Sequence, residues 1–205
     1  MSQYKAIFID WDGTLSNSRF WHRWIGTDEY ELIQRVLFTD GREHLRLWMT
    51  GLISYVQVLE YVTSRTGIAY KDLARELRYS AEHMSFIDHE IPGLIRELRR
   101  KGVKVVVATD NMDVFRLWTV PALGLEDLFD GILVSDSRGA VKVEVYDDGT
   151  SKFFHHYLSQ NRISPGQSVL IDNSFDAKKV NEFGIDFLHV NNETSLVSHL
   201  QNLKN

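Results

Sequence analysis

Two aspartates one residue apart, Asp10 and Asp12, close the apolar run that begins the stretch "YKAIFIDWDGTLSNS" (4–18). Two later runs end in the same manner. "VKVVVATD" (103–110) finishes in Thr109 and Asp110, followed by Asn111, and "SVLID" (168–172) finishes in Asp172, with Asp176 four residues on. In an open α/β sheet, ligands bind in the crevice outside the carboxyl ends of the strands. If these runs are neighbours, five acids and a hydroxyl converge there. Like charges so gathered raise one another's pKa. Protonation of some acids, pairing with Lys or Arg, or a divalent cation relieves the repulsion. Oxygen donors without His or Cys favour Mg²⁺, which takes one or two carboxylates and completes its shell with waters and a phosphate.

The elements that must position these residues are legible in the texture of the chain. Short β-branched runs alternate with helical stretches over residues 4–10 and from about Ile91 onward, and "GILVSD" (131–136) and "DFLHV" (186–190) add two more strands. Continuous apolar strands separated by helices indicate a parallel sheet buried on both faces. Pro92 starts a helix in "PGLIRELRRKG" that Gly102 ends. Residues 16–89 are helical only: Leu32, Ile33, Val36 and Leu37 share one helical face, Leu73, Leu77, Ala81 and Met84 another, and Ser54 and Gly67 bracket a helix as its caps. So long a segment between two strands must form a unit of its own. The expected fold is α/β, a doubly wound, mostly parallel sheet formed by residues 1–15 and 90–205, with a helical cap domain inserted at 16–89. "VKVEVYDDGTSK" (141–152), with alternating valines and Asp148-Gly149, predicts a hairpin.

Composition bounds the partners. The chain has 205 residues, a net charge of −5 and no cysteine. That excludes disulfides and thiol chemistry, fits a reducing compartment, and argues against a general nucleic-acid binder, though a local basic patch stays open. No basic-then-apolar leader precedes Tyr4 and no long apolar span follows, so the expectation is a cytoplasmic protein without a membrane segment.

"FIDWDGTL" resembles the first motif of the haloacid dehalogenase-like (HAD) superfamily, an Asp-x-Asp-Gly-Thr after a hydrophobic strand. "VVVATDN" is similar to its second motif, and "VLIDNSFDAKKV" to its fourth. "IPGLIRELRRKGVKVVVATDN" and "LGLEDLFDGILVSD" resemble the connecting segments, whereas the cap matches only in position and helical character. The resemblance implies a phosphoaspartyl mechanism on a small phosphorylated metabolite. Asp10 would be the nucleophile and Asp12 the general acid and then base. Thr109, with the backbone around Asp110 and Asn111, would bind the phosphoryl group. Asp10, Asp172 and the Asp12 carbonyl would hold Mg²⁺, with Asp176 behind them. The dehalogenase branch lacks an acid at the Asp12 position, so Asp12 favours phosphate chemistry.

The family also places a lysine between its second and fourth motifs. Two fit the interval: Lys142, counted from "GILVSD", and Lys152, at the expected start of the helix "SKFFHHYL". Lys152 is preferred, since a helix start suits a phosphate site. A helix N-cap is the alternative role for Thr109, and solvated first-turn acids the alternative for Asp172 and Asp176. Phe20, Trp21 and Trp24 read as core, His155 and His156 as helix surface or packing. The expected activity is Mg²⁺-dependent hydrolysis of a phosphomonoester. A sugar phosphomutase, or a non-catalytic phosphate-binding protein on the same fold, remains as the alternative.

Overall fold

The computed structural model describes residues 4–204, so residues 1–3 and 205 of the expected core spans lie outside it. The chain opens with strand β1 (Ala6–Ile9) and then departs into helices. These are α1 (Asp28–Ile33), which runs on as a π-helical segment (Gln34–Thr39), then α2 (Arg42–Met49), α3 (Tyr55–Thr66) and α4 (Tyr70–Glu82). The chain returns through α5 (Ile91–Arg100) to β2 (Lys104–Thr109). A second π-helical segment (Phe115–Thr119) continues into α6 (Val120–Leu123) and α7 (Leu125–Leu128), and β3 (Gly131–Val134) leads to α8 (Ser135–Arg138). After a loop come α9 (His155–Asn161), β4 (Ser168–Asp172), a 3₁₀ segment (Phe175–Phe183), β5 (Asp186–His189) and α10 (Leu196–Lys204).

The five strands form one parallel sheet in the order β3-β2-β1-β4-β5. Strand side chains alternate between faces. Ile7, Ile9, Val105, Val107, Val169 and Ile171 pack on one side with Ile95, Leu98 and Leu200 of α5 and α10. Ala6, Phe8, Val106, Ala108 and Leu170 pack on the other with Phe153, Phe154, Leu158 and Val180. Burial on both faces is why these strands read as unbroken apolar runs.

Register then fixes the site. Ile9 pairs with Val107 on one side and Ile171 on the other, so Asp10 stands level with Asp172 on the adjacent strand. Neighbouring strands are about 4.8 Å apart. Two carboxylates are thus forced together at the sheet's carboxyl edge.

The helices between β1 and β2 enclose an apolar core of their own around Trp21, Ile33, Leu37, Trp48, Leu59 and Leu77, all fully buried. Trp21 is core as expected, although it adopts a left-handed φ of 55°, a conformation that costs on the order of 1 kcal/mol or more for a non-glycine residue. Its buried ring and two hydrogen bonds, N–H to Ser80 Oγ (2.9 Å) and Nε1–H to Leu73 O (3.0 Å), hold it there.

The helical unit is fastened to the sheet domain. Met112 and Val114, just beyond β2, join its apolar core. Asp113 accepts hydrogen bonds from Trp48 Nε1 (2.7 Å) and from the first N–H of α3 at Tyr55 (2.9 Å). Arg46 pairs with Glu144, and Thr119 Oγ1 donates to Ala81 O.

The expected hairpin is present, but shorter than the valine alternation suggests. Residues 141–152 form one antiparallel bridge, Val145 to Ser151, closed by a turn at Gly149. The pairing extends no further because Lys142 and Val143 turn instead, carrying the lysine inward. The helix expected from Lys152 begins three residues later, at His155. His155 and His156 are exposed on it. Among the described residues, no helix is long and apolar enough to cross a membrane.

Candidate active site

Asp10 follows β1 and extends its ladder by one bond, its N–H donating to Ile171 O (3.0 Å). The chain then coils on itself: the N–H groups of Leu15 and Ser16 both donate to Trp11 O, and Gly13 N–H donates to Ser16 O. This turn swings Asp12 out of the strand direction. It needs glycine at position 13, where φ is +81° and a Cβ would lie 2.3 Å from Asn173 Nδ2. Thr14 ties the turn to the end of β4, its Oγ1 accepting the Asn173 N–H (3.0 Å).

Lys142 lies between the acids. Its Nζ donates to Asp10 Oδ1 at 2.7 Å and to Asp172 Oδ2 at 2.5 Å, and the lysine is 5 % exposed. Its backbone N–H donates to Asp110 Oδ1 (2.9 Å), which pins the turn that delivers the side chain. Lys152, by contrast, is exposed and faces the Tyr146 ring. The preference for Lys152 is therefore corrected to Lys142. A helix-start lysine looked apt, but a buried ammonium gains far more between two anions than an exposed one gains from a helix terminus.

Asn111 is fully buried. Its Nδ2 donates to Asp12 Oδ2 (2.8 Å), its Oδ1 accepts the Met112 N–H, and its own N–H and C=O both bond Ser135 Oγ at 3.0 Å. Asn111 therefore orients Asp12, and Asp110 orients Lys142. The side chains of both are engaged with these groups, and the Asn111 N–H, one of the backbone donors expected at the phosphate, is engaged with Ser135 Oγ. Thr109 is buried at the end of β2, and its hydroxyl has no hydrogen-bond partner. It does not cap a helix. Its hydroxyl is thus free to donate to an oxygen bound at the strand ends. Asp172 Oδ1 accepts the Ser174 N–H (2.7 Å), and Asp176 is exposed in the first turn of the 3₁₀ segment. Thr14 is visible in the sequence as the threonine of the Asp-x-Asp-Gly-Thr motif, whereas Ser135 and Arg19, a single hydroxyl and a lone arginine, carry no spacing signal.

The electrostatics are those of an acidic cluster short of positive charge. Burial pushes the Asp10 carboxyl up to about 7; Lys142 opposes this, while Asp172 and Asp12 add to it. Burial also pushes Asp12 up to about 6, against the pull of Arg19 and then Lys142. Burial raises Asp110 too, with Lys142 opposing. The same burial disfavours the Lys142 charge, but Asp10, Asp110 and Asp172 more than offset that and hold it protonated. One ammonium among four carboxylates leaves room for a dication, and the donor set is oxygen only. The Asp10 and Asp172 carboxylates, level on adjacent strands, suit Mg²⁺, which takes one or two carboxylates and completes its shell with water and phosphate oxygens. Another trio of ligand atoms, Asp88, His89 and Glu90, lies where the chain leaves the helical unit, with Asp88 partly buried and the other two exposed.

A cavity of about 360 Å³ reaches from Asp12 and Asp110 up between the helices, where Phe20, Phe38, Leu45 and Met49 line it. Phe20 is thus half-buried at this wall instead of wholly core. A larger cavity of about 670 Å³ lies behind the Gly13-Thr14 turn near His189, and none of Asp10, Asp12, Asp110 or Asp172 lines it.

Comparison with known proteins gives this geometry a family. The family described as haloacid dehalogenase-like hydrolase matches residues 4–175. No curated protein matches the sequence. Among solved structures, the chain is similar to a HAD family enzyme from Bacteroides thetaiotaomicron in complex with magnesium and inorganic phosphate. The two share 19 % identity over 96 % of this chain and 98 % of that one, with a TM-score of 0.67. A protein from Porphyromonas gingivalis described as a predicted HAD-like family hydrolase matches at 14 % identity, 98 % coverage of both chains and a TM-score of 0.72. An L-2-haloacid dehalogenase from Xanthobacter autotrophicus with covalently bound chloropropionic acid matches at 16 % identity, covering 93 % of this chain and 80 % of that one, with a TM-score of 0.63.

Proposed function

The chain belongs to the haloacid dehalogenase-like hydrolase family, and from that premise we propose that it is a Mg²⁺-dependent phosphatase acting on a small phosphomonoester. The observation that carries this reading is the pairing of a buried Lys142 between Asp10 and Asp172 with a second acid, Asp12, turned toward the cavity and held by Asn111. A dehalogenase needs a nucleophilic carboxylate. It does not need a positioned second acid to protonate an alkoxide.

In this reading the Asp10 carboxylate attacks phosphorus and forms an aspartyl-phosphate as the P–O bond to the leaving alcohol breaks. Asp12 gives its proton to that alcohol, then takes one from the water that attacks the aspartyl-phosphate. Lys142 neutralises the Asp10 carboxylate and the phosphoryl oxygens, and the Thr109 hydroxyl donates to one of those oxygens. Mg²⁺, when bound at Asp10, Asp172 and the Asp12 carbonyl, supplies positive charge that stabilises the transferring group. The bound magnesium and phosphate of the Bacteroides enzyme support the same assignment here. The helical unit closes the crevice over the phosphate and keeps bulk water out.

The test is hydrolysis of p-nitrophenyl phosphate by the purified chain. Turnover is expected with Mg²⁺, to be lost with chelator, restored on adding the metal back, and absent in Asp10→Asn. Metal-independent turnover, or an active Asp10→Asn, contradicts the reading.

A further inference from the structure

The cavity above Asp12 is built from two different kinds of wall. At its floor lie the charged groups, Asp12, Asp110 and Arg19. Arg19 lines the same cavity, and no salt bridge occupies it among the described residues. The side chains that α1, its π-helical continuation and α2 contribute to the lining are all uncharged. Tyr30, Gln34 and Phe38 recur every fourth residue along α1 and its π-helical continuation, and Leu45 and Met49 repeat that spacing on α2. A four-residue spacing keeps side chains on one face. The π-helical turn, a feature that recurs at functional sites, spans Gln34 and Phe38. Gly41, buried in the short turn between the two helices, lets them meet: a Cβ there would lie 2.1 Å from Val36 O.

Tyr30, Phe38, Leu45 and Met49 are each only partly buried, although they pack against the apolar core behind them. Their remaining apolar surface faces a space whose floor is the reacting end of the site. We infer that this cavity receives the leaving alcohol, and that it selects a neutral, largely apolar alcohol about one ring in size over a polyhydroxylated one. This rests on the phosphatase reading and deepens it. At about 360 Å³ the cavity is near the small end of the range for ligand sites, and it must also admit the phosphate. The Gln34 amide and the Tyr30 hydroxyl offer partners for one or two polar atoms. A sugar would bury several hydroxyls against Phe38, Leu45 and Met49, and each unpaired hydroxyl lowers affinity.

The experiment compares primary alkyl esters, so that leaving-group basicity is matched: 2-phenylethyl phosphate, glycerol 3-phosphate and glucose 6-phosphate, each with Mg²⁺, and p-nitrophenyl phosphate as the control for phosphatase chemistry. The expected kcat/KM for the phenylethyl ester exceeds that of either polyol ester by about tenfold or more. Phe38→Ala, and separately Met49→Gln, which keeps the size of the side chain and adds an amide to the wall, should bring that ratio toward one, chiefly through KM. A thermal melt of each variant separates loss of the wall from loss of the fold. Equal or better turnover of a polyol ester overturns the inference, as does a ratio unmoved in both variants. Hydrolysis of the control without the phenylethyl ester also overturns it. Failure on every ester, control included, overturns the phosphatase reading itself and this inference with it.

Discussion

The floor and the roof of the crevice are made by opposite means. The floor is strand ends, where sheet register sets Asp10 beside Asp172 and a single buried ammonium bridges them. The roof is helix faces, where partly buried Phe38, Leu45 and Met49 turn toward a space they do not fill. In the floor, charge is arranged in advance and cannot move without cost. In the roof, surface is left over and can take a shape. Chemistry needs the first property and selectivity the second, and the two are joined at Asp113 and by the Arg46–Glu144 pair.

The sharpest way to break the contrast is to empty the floor of its cation. Lys142→Ala should lower kcat about 10²- to 10³-fold. It should also cost on the order of 3–5 kcal/mol of stability by leaving buried acids unpaired, measured by urea unfolding. Lys152→Ala should stay within about twofold of the parent in both assays, because its side chain meets solvent and the Tyr146 ring. Next in size is Asn111→Ala. Removing the amide that fixes Asp12 should reduce kcat about tenfold to a hundredfold while changing KM little, as steady-state kinetics would show.

A third experiment follows from the raised carboxyls. A group whose folded pKa lies above its unfolded value stabilises the fold while protonated, and that contribution is lost as pH rises through the folded pKa. Asp10 and Asp12 are both raised from 3.8, so the metal-free protein should lose stability between about pH 4 and about pH 7. Lys142 shifts upward from the lysine range and stays charged throughout that window. Melting curves across this range should show the decline, and saturating Mg²⁺ should flatten it. The smallest expected effect is in the roof. Gly41→Ala should cost about 1–3 kcal/mol and raise KM more than it lowers kcat, since its Cβ would press on Val36 O and splay α1 from α2.

The same contrast explains what could be read in advance. The sheet, the inserted helices and the acids at the strand ends were legible because each leaves a local signal: an apolar run, a helical spacing, an Asp-x-Asp. Lys142 was harder. Its neighbours Val141, Val143 and Val145 alternate as a strand would, and only the Asp110 side chain, 32 residues away in sequence, turns the chain there. Asn111 looked like a phosphate contact because its place in the motif is visible and its partner, Asp12, is not. The roof was legible as helix but not as pocket. Tyr30, Phe38, Leu45 and Met49 carry the apolar spacing of any packed helix, and only assembly of α1 against α2 shows that part of that surface stays uncovered.

The central claim is that the Asp10 carboxylate forms a covalent bond to phosphorus. Acid quench during turnover of p-nitrophenyl phosphate with Mg²⁺, followed by borohydride reduction and peptide mass analysis, tests it directly, because borohydride reduces an acyl phosphate to the alcohol and leaves a free carboxylate alone. The account predicts substrate-dependent conversion of Asp10 to homoserine, with no other carboxylate modified. Sustained hydrolysis with Asp10 unreduced, or with the reduction falling on a different acid, would contradict it.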